Sequence, residues 1–143
     1  VFWKGQHACA ALQCLGSNAQ FLLHPAPYSH EYNTLLEGSA LTVQRRLEHF
    51  NWFVTALHLM PDACTVPMHA ELIPVSKLRA GITLTDAQAQ AVRVTVGEKT
   101  CVVLICHSEV ISEVDLLSAG GYSGYGKVLV FDPAHPHGLC LAW

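Results

Sequence analysis

The chain has 143 residues, a length that one domain with a single hydrophobic core ordinarily accounts for. Apolar residues make up 51% of it and charged residues only 13%, which excludes an intrinsically disordered chain. The formal net charge of −3 argues against a nucleic-acid partner, because binding a polyanion depends on neutralising its phosphates with basic side chains.

Neither a membrane segment nor a secretory signal is expected from the apolar runs. The longest run is Cys101-Val-Val-Leu-Ile-Cys106, whereas a spanning helix needs about 20 such residues. The first residues, Val1-Phe-Trp-Lys4, do not form a basic region followed by a long apolar stretch. The six cysteines contain no C-x-x-C pair, and a domain of this size does not require disulfides. We therefore expect reduced cysteines and a cytoplasmic protein.

The first part of the chain favours a hairpin. Two apolar stretches within Leu12–Leu23 are separated by Gly16-Ser-Asn18, a triplet typical of turns. A short helix over His7–Leu15, ended by Gly16, is the alternative. The segment His24-Pro-Ala-Pro27 predicts extended backbone, since proline lacks a donor and restricts the residue before it.

A helical stripe follows Ser39, a favourable N-cap residue. Apolar residues recur at spacings of four, three, four and three: Val43, Leu47, Phe50, Val54 and Leu57. From Asn51 onward aromatic and branched residues dominate, so we expect a helix over 40–50 and a strand over 52–60. A turn over 60–63 and a returning strand over His69–Val75 complete this region, with Pro74 placing the end of that strand at a sheet edge.

The second half alternates predicted helices and strands. Thr85-Asp-Ala-Gln88 matches a capping box and predicts a helix to Val94. Ser108 caps a second helix, which ends at Gly120-Gly121 and has one apolar face: Val110, Ile111, Val114 and Leu117. Strands are expected over 100–106, 127–131 and 139–143. The whole chain, 1–143, is therefore predicted to be one α+β domain, with a single mixed or antiparallel sheet and helices packed mainly on one face.

The predicted last strand is entirely apolar. Leu139-Cys-Leu-Ala-Trp143 contains no polar residue, although chain ends normally fray into solvent. Such a strand is either central to the sheet or covered by another subunit. The low charge of the chain favours the second interpretation, because exposed apolar faces usually mark association sites.

Two clusters of histidine contain donors that zinc prefers. His135-Pro-His137-Gly-Leu-Cys140 has two imidazoles and a thiol close together, although Pro136 and Gly138 are also typical of a plain turn. His69-Ala-Glu71 with the later Pro136-His-Gly-Leu-Cys140 resembles the signature of zinc-dependent cytidine deaminases, H-x-E followed by P-C-x-x-C. The resemblance implies His69, His137 and Cys140 as zinc ligands and Glu71 as the general acid and base. His137 stands where that family has a cysteine.

Aromatic residues are the candidate contacts for a ligand or partner. Tyr122 and Tyr125 lie in the glycine-rich segment Gly120–Gly126, and Tyr is a favoured contact residue. Trp52 and Trp143 are the large apolar candidates.

Two classes of function follow from these patterns. The first is a homo-oligomeric binding domain with an apolar cleft or interface, which binds another protein or a small apolar molecule and has no cofactor and no catalysis of its own. The second is a zinc-dependent hydrolase or deaminase-like enzyme built on His69, Glu71, His135, His137 and Cys140. The first is favoured because the chain contains no recognisable nucleophile motif and no complete catalytic set.

Overall fold

The computed structural model describes residues 2–4, 8–16, 19–29, 31–45, 53–61, 66–107 and 114–142. Within these ranges the chain forms strands and turns and no helix. In chain order the strands are β1 (Phe2–Lys4), β2 (Ala8–Leu15), β3 (Ala19–Pro25), β4 (Ser39–Arg45), β5 (Val54–Pro61), β6 (Met68–Ile73), β7 (Val75–Lys77), β8 (Ile82–Thr83), β9 (Ala89–Val96), β10 (Lys99–Cys106), β11 (Leu117–Ala119), β12 (Tyr122–Gly124), β13 (Val128–Asp132) and β14 (His135–Ala142).

The chain divides into two compact units, and the prediction of a single domain stays a prediction. One unit comprises Val1–Leu15 and Val54–Trp143, and the other is Gly16–Phe53. The first contains three sheets, with strand orders β1-β2-β5, β14-β13-β10-β9-β6 and β12-β11-β7-β8. The second contains the two-stranded sheet β3-β4. All of these pairings are antiparallel.

The core of the larger unit lies between its five-stranded and four-stranded sheets. Alternate residues of β10 are buried there, Val102 and Leu104 at 0% exposure, because successive side chains of a strand point to opposite faces. The core cluster comprises Val75, Leu84, Ala89, Ala91, Val102, Leu104, Cys106, Leu117, Ala119, Leu129 and Phe131. Each fully buried Leu or Phe stabilises the fold by roughly 1.5–3 kcal/mol.

The predicted α+β class is wrong, and the segment after Thr85 illustrates why. The capping-box contact does form: Gln88 Oε1 accepts a hydrogen bond from the Thr85 backbone N–H at 3.0 Å. The chain then makes a single turn and continues as β9, which pairs with β10 from Ala89↔Cys106 to Val96↔Lys99. Valine alternates with other residues along the end of β9, and this period of two matches a strand. The predicted helix to Val94 is therefore a turn and a strand.

The other predicted helices are contradicted wherever the structure describes them. Residues 40–45 of the predicted helix over 40–50 belong to β4, and the remaining 46–50 lie outside the described residues. Residues 108–113 of the helix predicted from Ser108 also lie outside the described residues. Leu117, the last apolar residue of that predicted helix, is the first residue of β11. Gly120-Gly121, predicted as a helix end, is the turn of the β11–β12 hairpin, where both φ values are positive, 58° and 90°.

The predicted strands are confirmed, but several of their partners and boundaries are wrong. Strands β5, β6, β10, β13 and β14 lie where strands were predicted. The hairpin over Leu12–Leu23 is not formed, since β2 pairs with β1 and β5 while β3 pairs with β4. Of the alternative helix over His7–Leu15, residues 8–15 form β2, and His7 lies outside the described residues. Strand β6 pairs with β9 and not with the strand before it.

The C-terminal strand lies at an edge of the five-stranded sheet and is not central. It begins at His135, so Pro136 and Gly138, considered typical of a turn, lie within β14. The turn lies between β13 and β14, where Asp132 Oδ1 accepts hydrogen bonds from the backbone N–H groups of Ala134 and His135, each at 2.8 Å. An aspartate that bonds to the backbone two residues later stabilises such a turn.

Within the described residues no helix is sufficiently long and apolar to cross a bilayer.

Candidate interaction surface

The described residues expose more large apolar side chains than they bury. Seventeen large hydrophobic side chains are exposed, whereas fifteen hydrophobic residues, several of them alanines, are buried. Isolated exposed apolar residues are normal, but contiguous ones mark interaction sites. The positions of these side chains on the sheets therefore show which apolar surfaces are contiguous.

A row of apolar side chains crosses the outer face of the five-stranded sheet. Leu72 is opposite Val92, Val92 opposite Val103, Val103 opposite Val130, and Val130 opposite Leu139. Directly opposite residues share a face of the sheet, so these five side chains form one stripe, which we call the outer stripe. It lies on the face opposite the core residues Val102 and Leu104, which alternate with Val103. Its two ends are solvent-exposed, Leu72 at 41% and Leu139 at 48%.

Strand β5 presents a second apolar surface. Exposed and less exposed residues alternate along it: Leu57 and Leu59 are exposed at 58% and 68%, whereas Ala56 before them and His58 between them are half-buried. Among the described strands β5 pairs only with β2, so its other edge has no described strand beside it. The alternation of Leu57 and Leu59 is the sequence signal that located this strand.

The smaller unit contains no buried residue among those described. Its β3–β4 ribbon exposes Phe21, Leu22 and Leu23 in succession, so apolar side chains lie on both of its faces. A two-stranded ribbon is marginally stable by itself in water. A shallow depression of about 520 Å³ lies at the end of this ribbon, and its lining residues are Pro25, Ala26, Pro27, Glu37, Gly38 and Ser39.

The aromatic residues predicted as contacts lie in different surroundings. Tyr122 stacks on Phe131 with ring centroids 5.5 Å apart and packs against the core. The Tyr125 hydroxyl accepts a hydrogen bond from the Arg79 guanidinium at 2.9 Å, and that guanidinium lies 5.9 Å from the ring centre. Trp52 and Trp143 lie outside the described residues. A contact role for these four residues stays a prediction.

The predicted zinc ligands are not brought together. His69 lies on β6, whereas His137 and Cys140 lie on β14, at the opposite edge of the five-stranded sheet. Four strand spacings separate the two edges, about 19 Å along the sheet. Within the described ranges no group of three His, Cys, Asp or Glu side chains is placed to hold a metal ion.

The other two residues of the predicted zinc site, Glu71 and His135, each contact a charged side chain. Glu71 Oε1 accepts a hydrogen bond from Arg93 at 2.8 Å, which engages the carboxylate proposed as acid and base. His135 Nδ1 lies 3.0 Å from Asp132 Oδ1. Desolvation acts to raise the pKa of Asp132, but hydrogen bonds from the backbone and side chain of His135 outweigh it and lower that pKa.

The described cysteines form no disulfide with one another, and two of them, the half-buried Cys101 and the buried Cys106, lie on β10. Burial raises the pKa of the Cys106 thiol to about 11, although nearby Lys77 acts in the opposite direction. Burial and the charge of Asp132 also raise the pKa of Cys101. Raised pKa values keep both thiols protonated at neutral pH, so they behave as small apolar side chains and not as nucleophiles.

Comparison with known proteins finds no matching family model, no matching curated protein and no matching solved structure. The arrangement of the residues themselves therefore carries the functional interpretation.

Proposed function

We propose that this chain is a homo-oligomeric interaction domain whose apolar strand surfaces bind a second copy of the chain or another apolar partner. The observation that carries the proposal is the excess of exposed over buried large apolar side chains on regular strands. Apolar surface removed from water contributes about 25 cal/mol per Å², so covering such strands favours association.

The smaller unit supports the same proposal. A ribbon without a buried residue gains little of the apolar burial that offsets the entropy of ordering its backbone. Contact with a partner would supply that burial. The outer stripe supports the proposal independently, because it is continuous across five strands and contains no polar residue.

A cytoplasmic location belongs to this proposal. Cys106 is packed in the core and Cys101 is half-buried on the same strand, and both are protonated thiols, a state that a reducing compartment preserves. A small apolar molecule is a further possible ligand within the same proposal, since the surfaces are apolar and carry few charges.

Sedimentation velocity over a wide range of protein concentration tests the proposal. We expect a discrete oligomer whose fraction rises with concentration. A monomer at every concentration would contradict the proposal. A matched pair of variants, Leu139→Lys in the outer stripe and Leu78→Lys at an exposed turn, then tests whether the stripe contributes, because both replace an exposed leucine by the same charge.

A further inference from the structure

The sheet edges of the larger unit differ in how well they are protected from pairing with another strand. Unpaired edges expose backbone donors and acceptors, and proteins usually protect them with short strands, bulges, proline, charges or covering segments. Strands β1, β8 and β12 are two or three residues long. Short strands offer few backbone groups to a partner.

The two edges of the five-stranded sheet are protected in different ways. Strand β14 contains Pro136, its register with β13 shifts twice, and β12 lies against its backbone, since a Cβ added at Gly124 would lie 2.6 Å from the His137 carbonyl oxygen. On β6, the backbone N–H and C=O of Ala70 are hydrogen-bonded by the Gln13 side chain. Neither edge is free to accept a new strand along its length.

Among the residues that the structure describes, none of these protections is found along the outer edge of β5. It is eight residues long and pairs with β2 in continuous register from Leu15↔Val54 to Ala8↔Pro61, without a bulge. Its only proline, Pro61, is the last residue. It contains no Lys, Arg, Asp or Glu, and its exposed face presents Leu57 and Leu59.

We propose that the outer edge of β5 pairs antiparallel with β5 of a second copy, so that the two sheets join across a two-fold axis. This inference rests on the proposed function and identifies the surface and partner that it requires. With the axis at Leu57, that residue lies opposite its own copy and Leu59 lies opposite Thr55 of the second copy. Opposite residues share a face, so the exposed leucines of both copies meet on one side of the joined sheet.

The absence of charge on β5 identifies a second copy as the occupant. In a two-fold antiparallel pair, the strand of one copy lies beside the identical strand of the other copy. Any charged residue would therefore lie opposite or near a residue of the same charge. A strand without Lys, Arg, Asp or Glu avoids this repulsion, and the Thr55, Leu57 and Leu59 side chains of its exposed face are compatible with their own copies. An edge suited to a charged partner strand would instead carry the complementary charge.

Sedimentation of Leu57→Lys, compared with sedimentation of Leu78→Lys, tests the inference. Both variants replace an exposed leucine by lysine, but only Leu57→Lys places like charges at the proposed axis. We expect Leu57→Lys to raise the dimer dissociation constant at least about tenfold, and Leu78→Lys, at an exposed turn, to leave it nearly unchanged. Circular dichroism establishes that each variant is folded, and Thr55→Lys on the same exposed face replaces Leu57→Lys if that variant does not fold.

Hydrogen exchange of the wild-type chain supplies a backbone measurement. Amides in residues 54–61 should exchange more slowly as concentration rises, because new hydrogen bonds form along the outer edge. A dimer weakened by Leu139→Lys and not by the β5 variants, or β5 exchange that does not change with concentration, would overturn the β5 pairing and leave the proposed function standing. A wild-type chain that is monomeric throughout would overturn both.

Discussion

The side-chain amide of Gln13 on β2 bonds to both backbone groups of Ala70 on β6. Its Nε2 donates to the Ala70 carbonyl oxygen at 2.7 Å, and its Oε1 accepts from the Ala70 N–H at 2.8 Å. The amide thus takes the place of a neighbouring strand at this position and connects the three-stranded sheet to the edge of the five-stranded sheet. Ala70 is 1% exposed, so neither of its backbone groups has an easy alternative in water.

Gln13→Glu should lower the free energy of unfolding by about 1–3 kcal/mol at neutral pH. A carboxylate can accept from the Ala70 N–H, but it cannot donate to the Ala70 carbonyl, and that acceptor is left unsatisfied. Urea denaturation measures the change, with Gln20→Glu on an exposed face as the matched control. Equal losses in the two variants would contradict a special role for Gln13.

Gly138→Ala should destabilise the protein more than Gly121→Ala. Both glycines have positive φ, 83° and 90°, so both substitutions introduce backbone strain of about 1–2 kcal/mol. An added Cβ at Gly138 would lie 2.7 Å from a ring carbon of the buried Phe131, whereas at Gly121 it meets nothing within 4 Å. The overlap should cost about a further 1–3 kcal/mol. Thermal unfolding of the two variants measures the difference, and identical melting temperatures would count against this packing.

Stability should fall as pH rises from about 9 toward 11 because of the Cys106 thiol. Its pKa is raised from 9.0 to about 11 in the folded chain, so in this range the folded state keeps a proton that the unfolded state releases. The unfolded state then binds fewer protons, and the free energy of unfolding decreases with pH. The stabilising contribution is fully present below pH 9 and is lost as pH passes 11.

Denaturant unfolding at several pH values measures this dependence. In Cys106→Ala the free energy of unfolding should decrease less over the same pH range. Cys14→Ala, at a half-buried position, is the control. A pH dependence that is the same in wild type and Cys106→Ala would assign the effect to other groups.

Much of the local structure could be predicted from the sequence. Apolar runs and period-two alternation located β5, β10 and β13, since these signals depend only on neighbouring residues. The helix predictions failed because local propensity is weak and pairing decides the outcome. Ala89–Val96 begins with good helix formers, yet eight residue pairs with β10 and six with β6 stabilise it as a strand. A capping box alone could not reveal those partners.

For the candidate surface, the sequence could predict the apolar character but not the positions of the residues. The low charge of the chain favoured exposed apolar faces of the kind that mark association sites, and the exposed strand residues agree with that expectation. The positions of His69 and His137 at opposite sheet edges, and the Gln13–Ala70 contact, depend on which distant strands pair. Neither leaves a signal at short sequence separation.

The sequence by itself therefore determined the character of this protein: an apolar, weakly charged chain with several strands at recognisable places. Only the tertiary structure decided that the segments from Ser39 and Ala89 are strands, which strands are neighbours, and which edge is left open. The physical reason is that periodicity and turn chemistry act within a few residues, whereas sheet order is a property of pairings between residues far apart in the chain.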